Sequence, residues 1–122
     1  MAAADRPITD IDSEAWWAAI QDRRLMVNEC QSCGRTSLYV RPFCPHCWSE
    51  AVELRAASGH ARLYTWSIVQ DNIVAMVDLD EGPRLMTSIE GCDAGDLRDG
   101  LELVVDFRVA DDGFTVPVFR PA

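Results

Sequence analysis

Cys30-Gln31-Ser32-Cys33-Gly34, followed ten residues later by Cys44-Pro45-His46-Cys47, decides how this chain is read. Each Cys-x-x-Cys pair forms a tight knuckle that turns two thiolates toward one point. Two facing knuckles make a tetrahedral sulfur site, the arrangement that suits structural zinc; iron in a rubredoxin-like site is the alternative. The spacing between the pairs is shorter than the usual zinc template, yet it leaves room for two short strands. A redox dithiol needs only one such pair, usually opening a helix, and neither pair here opens one. Disulfides would need an oxidising compartment, and the start of the chain, small and polar, has no secretory pattern. Four thiolates leave no open position for a metal-bound water, so a catalytic zinc does not fit. His46 lies inside the second knuckle; with all four sulfurs present it is expected to point outward.

Outward from the cysteines, Leu25–Glu29 alternates and reads as a strand entering the first knuckle. Thr36–Val40 reads as a strand leaving it, and Ala51–Arg55 as a third. Before them, Glu14–Gln21 reads as a short helix with Trp16, Ala19 and Ile20 on one face. Thr9, Asp10, Asp12 and Ser13 are its N-cap candidates. Residues 1–9 show no periodicity and are expected to be mobile. So short a helix must dock on something. Either Trp16 and Trp17 pack on the chain's own ribbon, or one of them anchors a partner, since aromatic side chains are enriched in interface cores. Residues 1–55 thus read as a helix and zinc ribbon whose core is too small to stand without its metal.

From Ser58-Gly59 the texture changes. Strands are expected over 60–69, 73–79, 84–90, 101–109 and 114–119, with turns at Asp71-Asn72, Glu81-Gly82-Pro83 and Asp111-Asp112-Gly113. The Gly- and Asp-rich stretch 91–100 makes a longer connection with one helical turn near Ala94–Arg98. Five strands with this insertion match a partly open OB barrel over residues 56–122. Pro117 marks an edge or a bulge, where a missing N–H does no harm. The fold class is therefore mostly β: an N-terminal helix, a rubredoxin-like ribbon and a five-stranded OB barrel.

The chain has 122 residues and a net charge of −9, and its eleven basic residues are all arginine and scattered. That balance argues against a nucleic-acid groove, which would be basic. The alternative function is nonetheless a free-standing OB module binding single strands through Tyr64, Trp66 and Phe107. No apolar run approaches membrane-spanning length, and a cytoplasmic protein with reduced thiols is expected. No nucleophile elbow, phosphate loop or dinucleotide fingerprint is present. Cys92, the one cysteine outside the knuckles, reads as a core filler rather than a nucleophile. His60 has no evident partner.

Several motifs in one order resemble a known family. They are the tryptophan helix, Cys30-Gln31-Ser32-Cys33-Gly34, Arg41-Pro42-Phe43-Cys44-Pro45-His46-Cys47, Gly59 to Trp66, Val77-Asp78-Leu79-Asp80-Glu81-Gly82-Pro83-Arg84-Leu85, and Val116-Pro117-Val118-Phe119-Arg120-Pro121. The chain is similar to the acyl-CoA-associated zinc-ribbon/OB-fold proteins; His60 stands where a small or basic residue is expected. The resemblance implies a non-catalytic partner of a thiolase-fold thiolase or retro-aldolase, acting on steroid side chains or other branched acyl-CoA. Such a subunit stabilises the large enzyme and shapes its acyl-CoA channel, in a heteromeric complex expected to hold two copies of each chain. Zinc on Cys30, Cys33, Cys44 and Cys47, and a partner interface at Trp16 and Trp17, complete the expectation.

Overall fold

The computed structural model describes residues 11–122; residues 1–10, with the cap candidates Thr9 and Asp10, lie outside the described residues. A helix, α1 (Glu14–Gln21), is followed by β1 (Met26–Cys30), β2 (Thr36–Ser37) and β3 (Val52–Ala56). Then come β4 (His60–Val69), β5 (Asn72–Leu79), β6 (Arg84–Ile89), a 3-10 turn (Ala94–Asp96), β7 (Glu102–Val109) and β8 (Thr115–Pro121). The first three strands form an antiparallel sheet in the order β2-β1-β3, and the remaining five close a barrel in the order β4-β5-β6-β8-β7. The expected mostly-β architecture of helix, ribbon and OB-type barrel is what the chain adopts.

Several details differ from the sequence reading. The turn expected at Asp71-Asn72 falls at Gln70-Asp71, and Asn72 opens β5. The strand expected over 36–40 stops at Ser37. Residues 38–40 leave the ribbon and cross to the barrel, where the Tyr39 hydroxyl accepts the Met86 N–H at 3.2 Å. The core also does not divide into two small parts. Trp16 and Ile20 of α1, Leu25, and Val27 of β1 lie in one buried cluster with Leu63, Val77, Leu103 and Phe119 of the barrel.

The barrel is laddered around its circumference except at one seam. β6 and β8 run parallel and share a single rung, Ile89 with Phe119, with the Glu90 N–H donating to the Phe119 carbonyl at 2.8 Å. In a parallel ladder the next rung would require the N–H of residue 117 to donate to the Met86 carbonyl. Residue 117 is proline and has no N–H, so the ladder ends there. This is the edge position expected for Pro117. Helix α1 lies beside that seam. Gln21 acts as a surrogate strand, its Nε2 donating to the Thr115 carbonyl at 3.0 Å and its Oε1 accepting the Thr115 N–H at 2.9 Å. Trp17 packs on Phe114 with ring centroids 5.5 Å apart.

Candidate metal centre and partner-facing surface

The two knuckles are built alike. Gly34 N–H donates to the Cys30 carbonyl and Trp48 N–H to the Cys44 carbonyl, both at 2.9 Å. Cys30 N–H donates to Arg35 and Cys44 N–H to Ser49, at 2.9 and 2.8 Å. Each turn ends in a left-handed residue, Gly34 at φ +79° and Trp48 at φ +66°. Glycine takes that conformation freely; tryptophan does not.

The turns bring the sulfurs of Cys30, Cys33, Cys44 and Cys47 within 4.8 Å of one another. The Cys30–Cys47 and Cys33–Cys44 separations are 3.5 and 3.7 Å. Four sulfurs about 2.3 Å from one zinc, at tetrahedral corners, stand roughly 3.8 Å apart, so the cluster has the dimensions that zinc needs. Its electrostatics agree. Hydrogen bonds from Cys33 N–H and Ser32 N–H to the Cys30 sulfur lower that thiol to about 6. Burial opposes ionisation of Cys44, but the N–H groups of Cys47 and His46 outweigh it and hold the thiol low. At Cys47 the Ser49 N–H favours the thiolate, yet the neighbouring Cys30 and burial push the group up to about 12. Four thiolates this close cannot all ionise unless a cation shares the charge. The donor set therefore fits a structural metal. His46 is exposed and outside the sulfur group, as expected.

The other candidates separate. Trp16, expected with Trp17 at a partner interface, is only 5% exposed within this chain. Its Nε1–H donates to the Met26 carbonyl at 2.8 Å, so its indole is used inside the chain. Trp17 is half-buried against Phe114. Phe43 and Trp48 stack at 5.2 Å, with Trp48 72% exposed. Trp17 and Tyr39 line one groove together with Leu38 and Met86. Cys92 is half-buried, and its thiol is raised by burial and by Asp96 and Asp93, the opposite of an activated nucleophile. The His60 carbonyl accepts the Asp80 N–H at 3.0 Å; among the described residues its imidazole is in no ligand cluster.

Sequence reasoning missed the job of the Glu81-Gly82-Pro83 turn, which ties ribbon to barrel. The Glu81 carbonyl accepts the Thr36 hydroxyl at 2.6 Å, and Glu81 Oε2 accepts the Ser58 N–H at 2.8 Å. The second carboxylate oxygen is buried without a partner among the described residues. Next to it, Arg84 donates to Asp78 at 2.7 Å and lies 3.5 Å over the Tyr64 ring. The Glu-Gly-Pro-Arg run was visible as a motif, but nothing in it shows that Thr36 and Ser58 would meet it.

Comparisons with known proteins agree with this layout. The ChsH2 rubredoxin-like zinc ribbon domain matches residues 17–53, and the ChsH2 C-terminal OB-fold domain matches residues 54–108. A solved chain described as "Ltp2-ChsH2(DUF35) aldolase" superposes with a TM-score of 0.88 at 32% identity, covering 95% of this chain and 98% of that one. A "Probable enoyl-CoA hydratase alpha subunit" of Thermomonospora curvata is 32% identical over 99% of this chain, which spans only 41% of that protein's length. A "DUF35 domain-containing scaffold protein" of Methanocaldococcus jannaschii is 28% identical, covering 80% of this chain and 78% of that protein. With ribbon, barrel and sulfur cluster in the same order and over nearly the same length, the chain belongs to the ChsH2/DUF35 family of zinc-ribbon and OB-fold proteins.

Proposed function

We propose that this chain is a non-catalytic accessory subunit of a thiolase-fold acyl-CoA enzyme, a retro-aldolase or thiolase, in the cytoplasm. It stabilises the larger subunit and shapes the acyl-CoA channel in a complex with two copies of each chain. The substrate is the acyl-CoA of a steroid side chain or another branched acid. The observation that carries the reading is the match, across nearly both full lengths, to the ChsH2(DUF35) chain of an aldolase. In this reading one zinc ion on Cys30, Cys33, Cys44 and Cys47 holds the helix-and-ribbon unit of residues 1–55, and residues 56–122 form the barrel. The exposed edge of Trp17 meets the partner. Among the described residues no helix is long and apolar enough to cross a membrane.

Co-expression with a thiolase-fold subunit, followed by size exclusion with light scattering, tests the assembly. A heterotetramer supports it. Separate elution at micromolar concentration, with the partner's activity indifferent to this chain, removes its support.

A further inference from the structure

β4 outruns the barrel that it helps to close. Its first three residues pair with β7: His60 with Val104, Ala61 with Leu103, Arg62 with Glu102. Leu63 N–H then donates to the Leu101 carbonyl and accepts at its own carbonyl from Gly100 N–H, both at 2.9 Å. Beyond Leu63, among the described residues, no backbone hydrogen bond reaches that side of the strand. The other side stays laddered to β5 as far as Val69 and Asn72.

Alternation identifies the unpaired groups. Gln70 and Asp71, at φ 48° and 68°, form a two-residue hairpin turn, which makes Val69 and Asn72 a hydrogen-bonded pair. Thr65, Ser67 and Val69 therefore bond toward β5, and the N–H and C=O of Trp66 and Ile68 face away from it. Free strand edges are normally blunted by charge or proline. Tyr64–Gln70 contains neither, and Ile68 and Val69 are each 51% exposed.

We propose that this edge pairs with the same edge of a second copy of this chain, antiparallel about a two-fold axis at Ser67. In that register Trp66 faces Ile68 of the other copy, and each pair exchanges two hydrogen bonds, which uses all four unpaired groups of each edge. Trp66 and Ile68 also become aromatic/β-branched cross-strand neighbours, twice. Arg62, 3.6 Å from Glu102, borders one end of the edge and Asp71 the other. Antiparallel pairing sets Asp71 of one copy beside Arg62 of the other at both places, whereas parallel pairing would align the two Asp71 carboxylates. The inference does not rest on the accessory-subunit reading.

Disulfide trapping reads the register. Ser67 would face its own copy as a non-hydrogen-bonded pair, with Cα atoms about 4.5 Å apart, within reach of a disulfide. In a Cys92→Ala background, Ser67→Cys under mild oxidation should give a reducible dimer that keeps its metal. Thr65→Cys should not, because Thr65 faces Val69 of the other copy. Sedimentation equilibrium reads the strength. Ile68→Pro removes only an outward N–H, leaves the β5 ladder intact, and should weaken self-association about tenfold; Ile68→Lys, which keeps the N–H, is the second variant if proline perturbs folding. Wild-type chain that stays monomeric up to millimolar concentration overturns the proposal. So does equal trapping at positions 65 and 67, or self-association indifferent to both Ile68 variants. Loss of a complex with a larger subunit on Ile68→Lys, with the isolated chain monomeric throughout, would assign the edge to that subunit instead.

Discussion

Ribbon and barrel are both small antiparallel structures, but they are held together differently. The ribbon has three short strands, the shortest only Thr36–Ser37, and its two knuckle turns converge on four sulfurs. The barrel turns one face of each strand inward onto Leu63, Val77, Leu85, Leu103 and Phe119, each no more than 2% exposed. A strand pattern alone therefore does not say what stabilises a sheet. One of these sheets carries a sulfur cluster that fits a structural metal, the other closes on apolar area removed from water. They meet in a common core through Trp16, Ile20 and Val27.

The strongest way to break this contrast is to remove the metal. Structural zinc in small ribbons contributes an apparent ~10–16 kcal/mol. Cys30→Ser, or chelation, should abolish hydrogen-exchange protection over residues 26–56 and leave protection in β5–β7. Equal loss in both regions would mean that the barrel too depends on the sulfur cluster. Elemental analysis of undenatured protein should find one zinc per chain, and less than half an equivalent of any metal would contradict the ligand set.

A smaller effect is expected from the barrel side. Phe119→Ala empties a fully buried site and should cost ~3–5 kcal/mol without changing metal content. Metal loss on this substitution would show that the two regions cannot be separated.

The smallest effect sharpens the comparison inside the ribbon. A Cβ at Gly34 would meet nothing within 4 Å, so Gly34→Ala carries only the backbone cost of φ +79°, about 1–2 kcal/mol. Trp48 already carries that cost in the matching knuckle and recovers part of it by stacking on Phe43. Trp48→Gly should thus change thermal stability less than Gly34→Ala does. The reverse order would show that the stack, not the turn, governs the second knuckle.

Much of this was legible in the sequence because the signals were local. Cys-x-x-Cys spacing, the period-two patterns and the Asp-Gly turn each specify their own neighbourhood, and the helix Glu14–Gln21 and β4 from His60 to Val69 fall where they were expected. Contacts made across long separations were not legible. Gln21 reaching Thr115 and Thr36 reaching Glu81 depend on how helix and ribbon dock on the barrel, which no window of sequence reports. The tryptophans show the limit best. Trp16 and Trp17 are adjacent on one helix and look equally available, yet packing buries the first and leaves the second half-open. Likewise, proline chemistry made Pro117 an edge residue, but only the strand order shows that its missing N–H ends the β6–β8 ladder.

In the proposed function the acyl-CoA chemistry belongs to a partner and not to this chain. Acyl-CoA turnover, measured on the isolated chain, on the thiolase-fold subunit and on their mixture, tests it most directly. No thiolysis, hydrolysis or retro-aldol cleavage is expected from the isolated chain, and higher turnover is expected from the mixture than from the large subunit alone. Steady turnover by the isolated chain, abolished by Cys92→Ala, would contradict it.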